Sequence, residues 1–398
     1  MAPPALVPSA CRSVDSRARP PPNQSRPLVE LGVAPESPHA HGGNVAPYGM
    51  ADFRQSFAAA GLSVAAANIA LQARRCSTRA TYSSRFRRFR RWCADQPCNP
   101  YTSSVGQVAD FLVEVFLNGA QARTVAAYRT AIGALHHGFH TGSSVSNHPI
   151  LTSLLKGMFN IRPPTRNLVP EWDLPLVLQF IASREFSSLR ELSLIELSQR
   201  TAFLLAVACG RRCSEMQALS ILPQHMRWTP EGVTLLPRAG FLSKTQALSF
   251  TPEPIFLPDL RRATGDREDR AWCPVRCLKA YLNRTRELRG SIDQLFVTTM
   301  EPRRPLSKTA LSRWIVALVR RAYEKLDQPA PSIRAHDTRS QSASWAYYSG
   351  VPLPEIMASA GWRTQTTFQQ VYLRDVLVTA DHRSSRTAVA ALSAGRRR

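Results

Sequence analysis

The residues best suited to chemistry lie in the second half of the chain, and most are cations and aromatics. Arg334-Ala-His-Asp-Thr-Arg339 sets His336 and Arg339 three apart, so on a helix they share a face and can address one object. A phosphate is such an object: Arg339 can grip its oxygens in bidentate fashion while His336 gives or takes a proton. Upstream, Ala206-Val-Ala-Cys-Gly-Arg-Arg-Cys-Ser-Glu215 is an apolar helix broken at Gly210, followed by two arginines and by Ser214 as a predicted N-cap. Phe241-Leu-Ser-Lys-Thr245 puts Lys244 at a predicted hairpin, and Ala360-Gly-Trp-Arg-Thr-Gln-Thr-Thr-Phe-Gln-Gln-Val-Tyr-Leu-Arg374 adds Trp362 and Tyr372. Taken singly each has an ordinary explanation, such as a cation at a helix C-terminus, a packing tryptophan or a core tyrosine. Their joint occurrence in this order is what calls for chemistry.

The 398 residues carry a formal net charge of +23, which suits a polyanionic partner, either nucleic acid or an acidic membrane surface. Only five of the 51 basic residues are lysine (Lys156, Lys244, Lys279, Lys308, Lys325). Arginine clamps phosphate but does not deprotonate near neutral pH, so a retained lysine is a candidate for proton transfer. No apolar run approaches the ~18 residues of a membrane span, and the N-terminus lacks the apolar core of a secretory signal. Eight dispersed cysteines without C-x2-C pairs argue against a disulfide framework or zinc ribbon and for buried thiols. No P-loop or G-x-G-x-x-G occurs, and no acidic cluster suited to a divalent ion pair, so nucleotide and two-metal chemistry have no support.

The elements that must position these residues follow from periodicity. Residues 1–62 read as a disordered, basic, Pro-rich arm, since ten of the 30 prolines fall in the first 50 positions. Residues 63–165 read as four short helices: one with Tyr82, Phe86 and Phe89 on one face and Arg85, Arg87, Arg88, Arg90 and Arg91 on the other; one capped by Ser103 or Ser104; one bearing Val125, Tyr128, Ile132 and Leu135; and one entered at His148-Pro149. A solvated cationic face and a surface along DNA phosphates are both open readings of the arginine side, with Arg85, Arg87, Arg88 and Arg91 as the candidate contacts. Residues 163–171 look like a linker. Beyond it, predicted helices (Leu174–Ser183, Ser193–Cys209, Ser214–Ser220, Pro274–Leu288, Lys308–Leu326, Asp337–Tyr348, Leu353–Ala360) surround predicted strands at Met226–Thr229, Gly232–Leu235 and Phe250–Leu257. The expected fold class is mainly α with a small antiparallel sheet.

On these residues the chain resembles the tyrosine recombinases, or phage-integrase family. The likeness spans roughly 63–380, with Arg212 and Glu215 in the Gly-x-Arg-x-x-Glu-like turn, Lys244 at the hairpin, His336 and Arg339 as His-x-x-Arg, then Trp362 and Tyr372. Arg211 stands where the family usually has an apolar residue, and Cys209 where it usually has Thr. Asn167-Leu-Val-Pro-Glu-Trp-Asp-Leu, Cys273-Pro-Val-Arg, Leu311-Ser-Arg-Trp-Ile and Ser344-Trp-Ala look most like recombinases of eukaryotic DIRS-type retroelements. The resemblance implies a helical SAM-like core-binding domain (63–165), an α+β catalytic domain (166–380) and a C-terminal tail (381–398) that docks on a neighbouring protomer. It further implies a metal-independent enzyme without a cofactor that acts in the nucleus as a dimer or tetramer on double-stranded DNA. Tyr372 is then the nucleophile, Arg212 and Arg339 hold the phosphate, His336 is base or hydrogen-bond partner, Lys244 the general acid and Trp362 a hydrogen-bond donor, with Glu215 orienting Arg212. Two other readings share the fold: a silent DNA-binding relic, in which binding survives without cleavage, and a type IB topoisomerase, which relaxes supercoils without site preference.

Overall fold

The computed structural model describes residues 48–165, 168–183, 186, 188–243, 251, 253–264 and 268–376. They divide into two compact units, at Pro164 and Thr165. Most of the N-terminal arm (1–47), Lys244 and the tail (381–398) lie outside the described residues.

The first unit is all helix. The arm read as disordered to residue 62 gives way earlier, because Tyr48–Ala59 is helical and Phe53 is 2% exposed in the core. A second unforeseen helix, Val64–Gln72, starts at Ser63, whose hydroxyl accepts from the Ala66 amide. Its sequence is alanine-rich, so it shows little contrast between faces for periodicity to register. The four expected helices are Cys76–Asp95, Val105–Leu117, Ala122–Gly133 and Pro149–Ile161. Phe86 and Phe89 are fully buried and Tyr82 half-buried, and they join Phe111, Leu112, Val125, Ile132 and Leu151 in one core. Burial of each such side chain contributes about 1.5–3 kcal/mol. Ser104 rather than Ser103 is the N-cap, in a reciprocal box with Gln107.

The second unit is built around Leu194–Cys209. Every residue from Leu197 to Cys209 except Gln199 is buried, and helices Pro274–Thr285, Lys308–Lys325 and Asp337–Tyr348 pack on it. A helix apolar on nearly all sides can only sit in the middle. Three strands, β1 (Met226–Thr229), β2 (Gly232–Leu235) and β3 (Ile255–Pro258), form an antiparallel sheet in that order, with Met226 opposite Leu235 and Leu235 opposite Ile255. β3 begins at Ile255 rather than at the predicted position 250, which itself lies outside the described residues. The molecule is mostly helical with a small antiparallel sheet. Among the described residues no helix is long and apolar enough to cross a membrane.

Cys93, Cys209, Cys273 and Cys277 are buried free thiols and Cys98 and Cys213 half-buried, whereas Cys76, at the start of its helix, is exposed.

Candidate active site

Three helix ends of the second unit supply the site. Leu194–Cys209 stops at Gly210, whose φ of 57° is left-handed and whose amide donates to the Ala206 carbonyl. Glycine takes that conformation without the Cβ penalty and turns the chain at once into Arg211-Arg212. The next helix, Cys213–Gln217, begins with Arg212 as its N-cap, so the predicted cap at Ser214 is displaced by two residues. The Glu215 carboxylate, 7% exposed, accepts from the Arg212 amide at 3.4 Å and from Arg212 Nη1 at 2.9 Å. It therefore holds both the backbone and the guanidinium of one arginine.

The second end is the start of Asp337–Tyr348, where His336 is the N-cap and Arg339 lies in the first turn. Arg339 is fully buried; Nη1 donates to the Gly210 carbonyl at 2.9 Å, tying this helix to the first turn. Its Nε and Nη2 have no hydrogen-bond partner. Burial, and next the charge of Arg212, push its pKa down to about 10, which leaves it cationic at neutral pH.

The third end closes Leu353–Ala360. Gly361, with φ 65°, and Trp362 complete a Schellman turn through amide bonds to Ala358 and Met357. A Cβ on Gly361 would fall 2.6 Å from Arg211 Nη1, whose flexible end would have to shift, so it is the left-handed φ that favours glycine here. Arg211 itself turns to the Ala358 carbonyl at 3.3 Å and to Glu253 at 3.4 Å. Beyond Trp362 a short helix, Gln365–Thr367, widens into the π-turn Phe368–Tyr372.

These ends bring Tyr372, Trp362, Arg339 and His336 together. Tyr372 Oη lies 2.9 Å from His336 Nε2. The Trp362 and Tyr372 rings sit 4.6 Å apart, and the Arg339 guanidinium carbon lies 4.6 Å from the first and 5.2 Å from the second. Trp362 is 6% exposed and its Nε1–H has no partner. Arg339 Nε and Nη2 and Trp362 Nε1 are thus three buried donor atoms without a protein partner on two adjacent side chains. Beside them a cleft of about 350 Å³ is lined by Arg211, Arg212, Glu215, Trp362 and Arg363, among others. Arg212 and Trp362 face this cleft, and Arg339 is buried behind Trp362. Among the described residues no three His, Cys, Asp or Glu side chains gather as a metal-binding group.

No family model matches the chain, nor does any curated protein. Among solved structures it is similar to a lambda integrase (75–356) dimer bound to a COC′ core site, with 16% identity over 84% of this chain and 96% of the other at a TM-score of 0.46. It is also similar to XerH site-specific recombinase bound to difH substrate (15%, 76% of each chain, TM-score 0.49) and to the Tn1549 transposon integrase (82–397) in complex with circular intermediate DNA (12%, 86% and 98%, TM-score 0.48).

Of the sequence-predicted residues, Arg212, Glu215, His336, Arg339, Trp362 and Tyr372 all stand at or beside this cluster. Lys244 lies outside the described residues, although the turn ahead of it is present, with the Phe241 amide on the Arg238 carbonyl and Gly240 at φ 77°. In the first unit Arg87, Arg88 and Arg91 are exposed. Arg85 is half-buried, and Arg85 and Arg88 both stack on Tyr128 at 5.7 and 5.6 Å. Sequence reasoning missed Arg211 as an anchor of the Gly361 turn and Ser344 as a contact of the Tyr372 backbone. A serine inside a buried helix leaves no periodic signal.

Proposed function

We propose that this protein cleaves and rejoins DNA through a 3′-phosphotyrosyl intermediate, as a site-specific recombinase or integrase. The observation that carries this reading is the phenol of Tyr372 at 2.9 Å from His336 Nε2, with its ring against a buried guanidinium that keeps unpaired donors. Tyr372 Oη attacks phosphorus, its proton passing to His336, and the O–P bond to tyrosine replaces the P–O5′ bond. The departing 5′-oxygen takes a proton from Lys244, the one residue assigned a role here on sequence alone. Attack by a 5′-hydroxyl on the adduct reverses each bond change, so no bond energy is lost to water. Arg339 and Arg212 neutralise the non-bridging oxygens, Glu215 aims Arg212, and Trp362, whose indole only donates, binds an oxygen without moving protons. The charge of +23 and the exposed Arg87, Arg88 and Arg91 support double-stranded DNA as the partner, engaged by a homo-oligomer. The sequence likeness to retroelement recombinases supports a mobile-element origin and action in the nucleus.

The test is incubation with nicked duplex DNA in EDTA. A covalent protein–DNA adduct that maps to Tyr372 and vanishes in Tyr372→Phe is expected; no adduct at any tyrosine overturns the proposal.

A further inference from the structure

Tyr372 is the last residue of a π-turn and is followed by extended chain, a place where a helix end ordinarily frays. Here it is stapled. The Ser344 hydroxyl, fully buried in the middle of Asp337–Tyr348, donates to the Tyr372 carbonyl at 3.4 Å and accepts from the Arg374 amide at 2.8 Å. One side chain thus brackets Leu373 and holds the backbone as it leaves the tyrosine. The segment is tied further by the Leu373 amide on the Phe368 carbonyl at 2.8 Å and the Asp375 amide on the Leu168 carbonyl at 2.9 Å, and Ser344 bonds its backbone to the helix that carries Arg339 and begins at His336. Ser344 lies eight residues beyond His336, about 12 Å along that helix axis at 1.5 Å per residue. A single rigid element therefore holds the phosphate ligand, the hydrogen-bond partner of the phenol and the anchor of its backbone.

We propose that Ser344 is a positioning residue that registers the nucleophile against the phosphate-binding groups through the backbone that leaves Tyr372. This rests on the reading of Tyr372 as the nucleophile. Serine is suited to the task because its one hydroxyl can donate and accept together, and its small side chain lets the extended segment approach the buried helix. Loss of the hydroxyl frees Tyr372 to wander by an ångström or so, enough to cost about 10²-fold in an oriented attack.

The test compares the full-length protein with Ser344→Ala, Ser344→Thr and Ser344→Val, threonine and valine having nearly the same volume but only threonine a hydroxyl. The rate of adduct formation on nicked DNA at saturating protein is expected to fall about 10- to 100-fold in Ala and Val and to stay near wild type in Thr, with DNA affinity unchanged throughout. Hydrogen exchange at the Arg374 amide is read in the same proteins without DNA, and its protection is expected to survive only in wild type and Thr. An unslowed Ala variant overturns the proposal, as does a Thr variant that falls with Val. If the wild type forms no adduct, the nucleophile assignment fails, whereas the exchange measurement still decides whether Ser344 secures the segment.

Discussion

At the scale of single residues, the cost of the site is concentrated in Arg339. A guanidinium with no exposed surface and two unpaired nitrogens destabilises the free protein, because buried donors without partners lose their hydration and gain nothing in return. Packing against Trp362 and Tyr372 offsets part of that cost, and under the proposed function a bound phosphate would offset more. Trp362 is a face for Arg339 and, in the proposed function, a donor to the phosphate, and the two roles separate by substitution. Trp362→Phe keeps an aromatic face and removes Nε1–H; the expected loss is about 2.7–4 kcal/mol of transition-state stabilisation, as for a missing oxyanion donor, with little change in DNA affinity. Single-turnover cleavage beside equilibrium binding checks it, and an undiminished rate would show that the indole only packs. Trp362→His, which restores an N–H donor, is expected to recover part of the rate.

At the scale of elements, Asp337–Tyr348 shows where pattern and burial part company. Its sequence is polar, yet every residue from Thr338 to Ala346 is buried. Local bonds satisfy several of its polar groups: Thr338 donates to Ala335, Ser340 to Asp337 and Gln341 to the Trp172 carbonyl. The polar composition of this helix gives no sign that it is core. The first unit holds a comparable buried polar device in His136. Its Nδ1 accepts from the Gly138 amide at 3.0 Å, which leaves Nε2–H to donate to the Ser103 carbonyl at 2.9 Å. That pairing needs the neutral ring, and burial in turn holds its pKa below the usual 6.5. Because the unfolded chain protonates more readily, the stability contributed by His136 is complete above about pH 6.5 and is lost as pH falls below it. Thermal melts between pH 8 and 5, run at about equal ionic strength, are expected to show this decline in wild type and a flatter profile in His136→Gln; parallel profiles would refute it.

At the scale of the whole molecule, the charge of +23 dominates how the chain meets a polyanion. Each phosphate contact adds a slope of about −0.9 to the dependence of log affinity on log salt. Replacing exposed Arg87, Arg88 and Arg91 together by Ala is therefore expected to flatten that slope by about 3 while leaving the melting temperature nearly unchanged. Filter binding across a salt series checks it, and an unaltered slope would mean that this helix face is merely solvated. The helical segment and the sheet-bearing segment were legible as separate bodies because a Pro- and Asn-containing stretch interrupts the apolar pattern at 163–171. Two helices before residue 73 were not legible: one lies in a region where proline and small residues dilute the pattern, and the other is mostly alanine.

What the linear order of residues determined by itself is the inventory: which side chains can bind a phosphate, which can attack it, and the local signals that end helices at Gly210 and Gly361. Such signals act over a few residues, so they survive in one dimension. Tertiary structure alone decided the convergence, because the bond from Arg339 to the Gly210 carbonyl spans 129 positions and that from His336 to Tyr372 spans 36. It also gave the two neighbouring arginines their partners, turning Arg211 to the Ala358 carbonyl and Arg212 to Glu215. Side chains at such separations meet only when the buried helix beneath them has chosen its packing, and that choice belongs to the core as a whole.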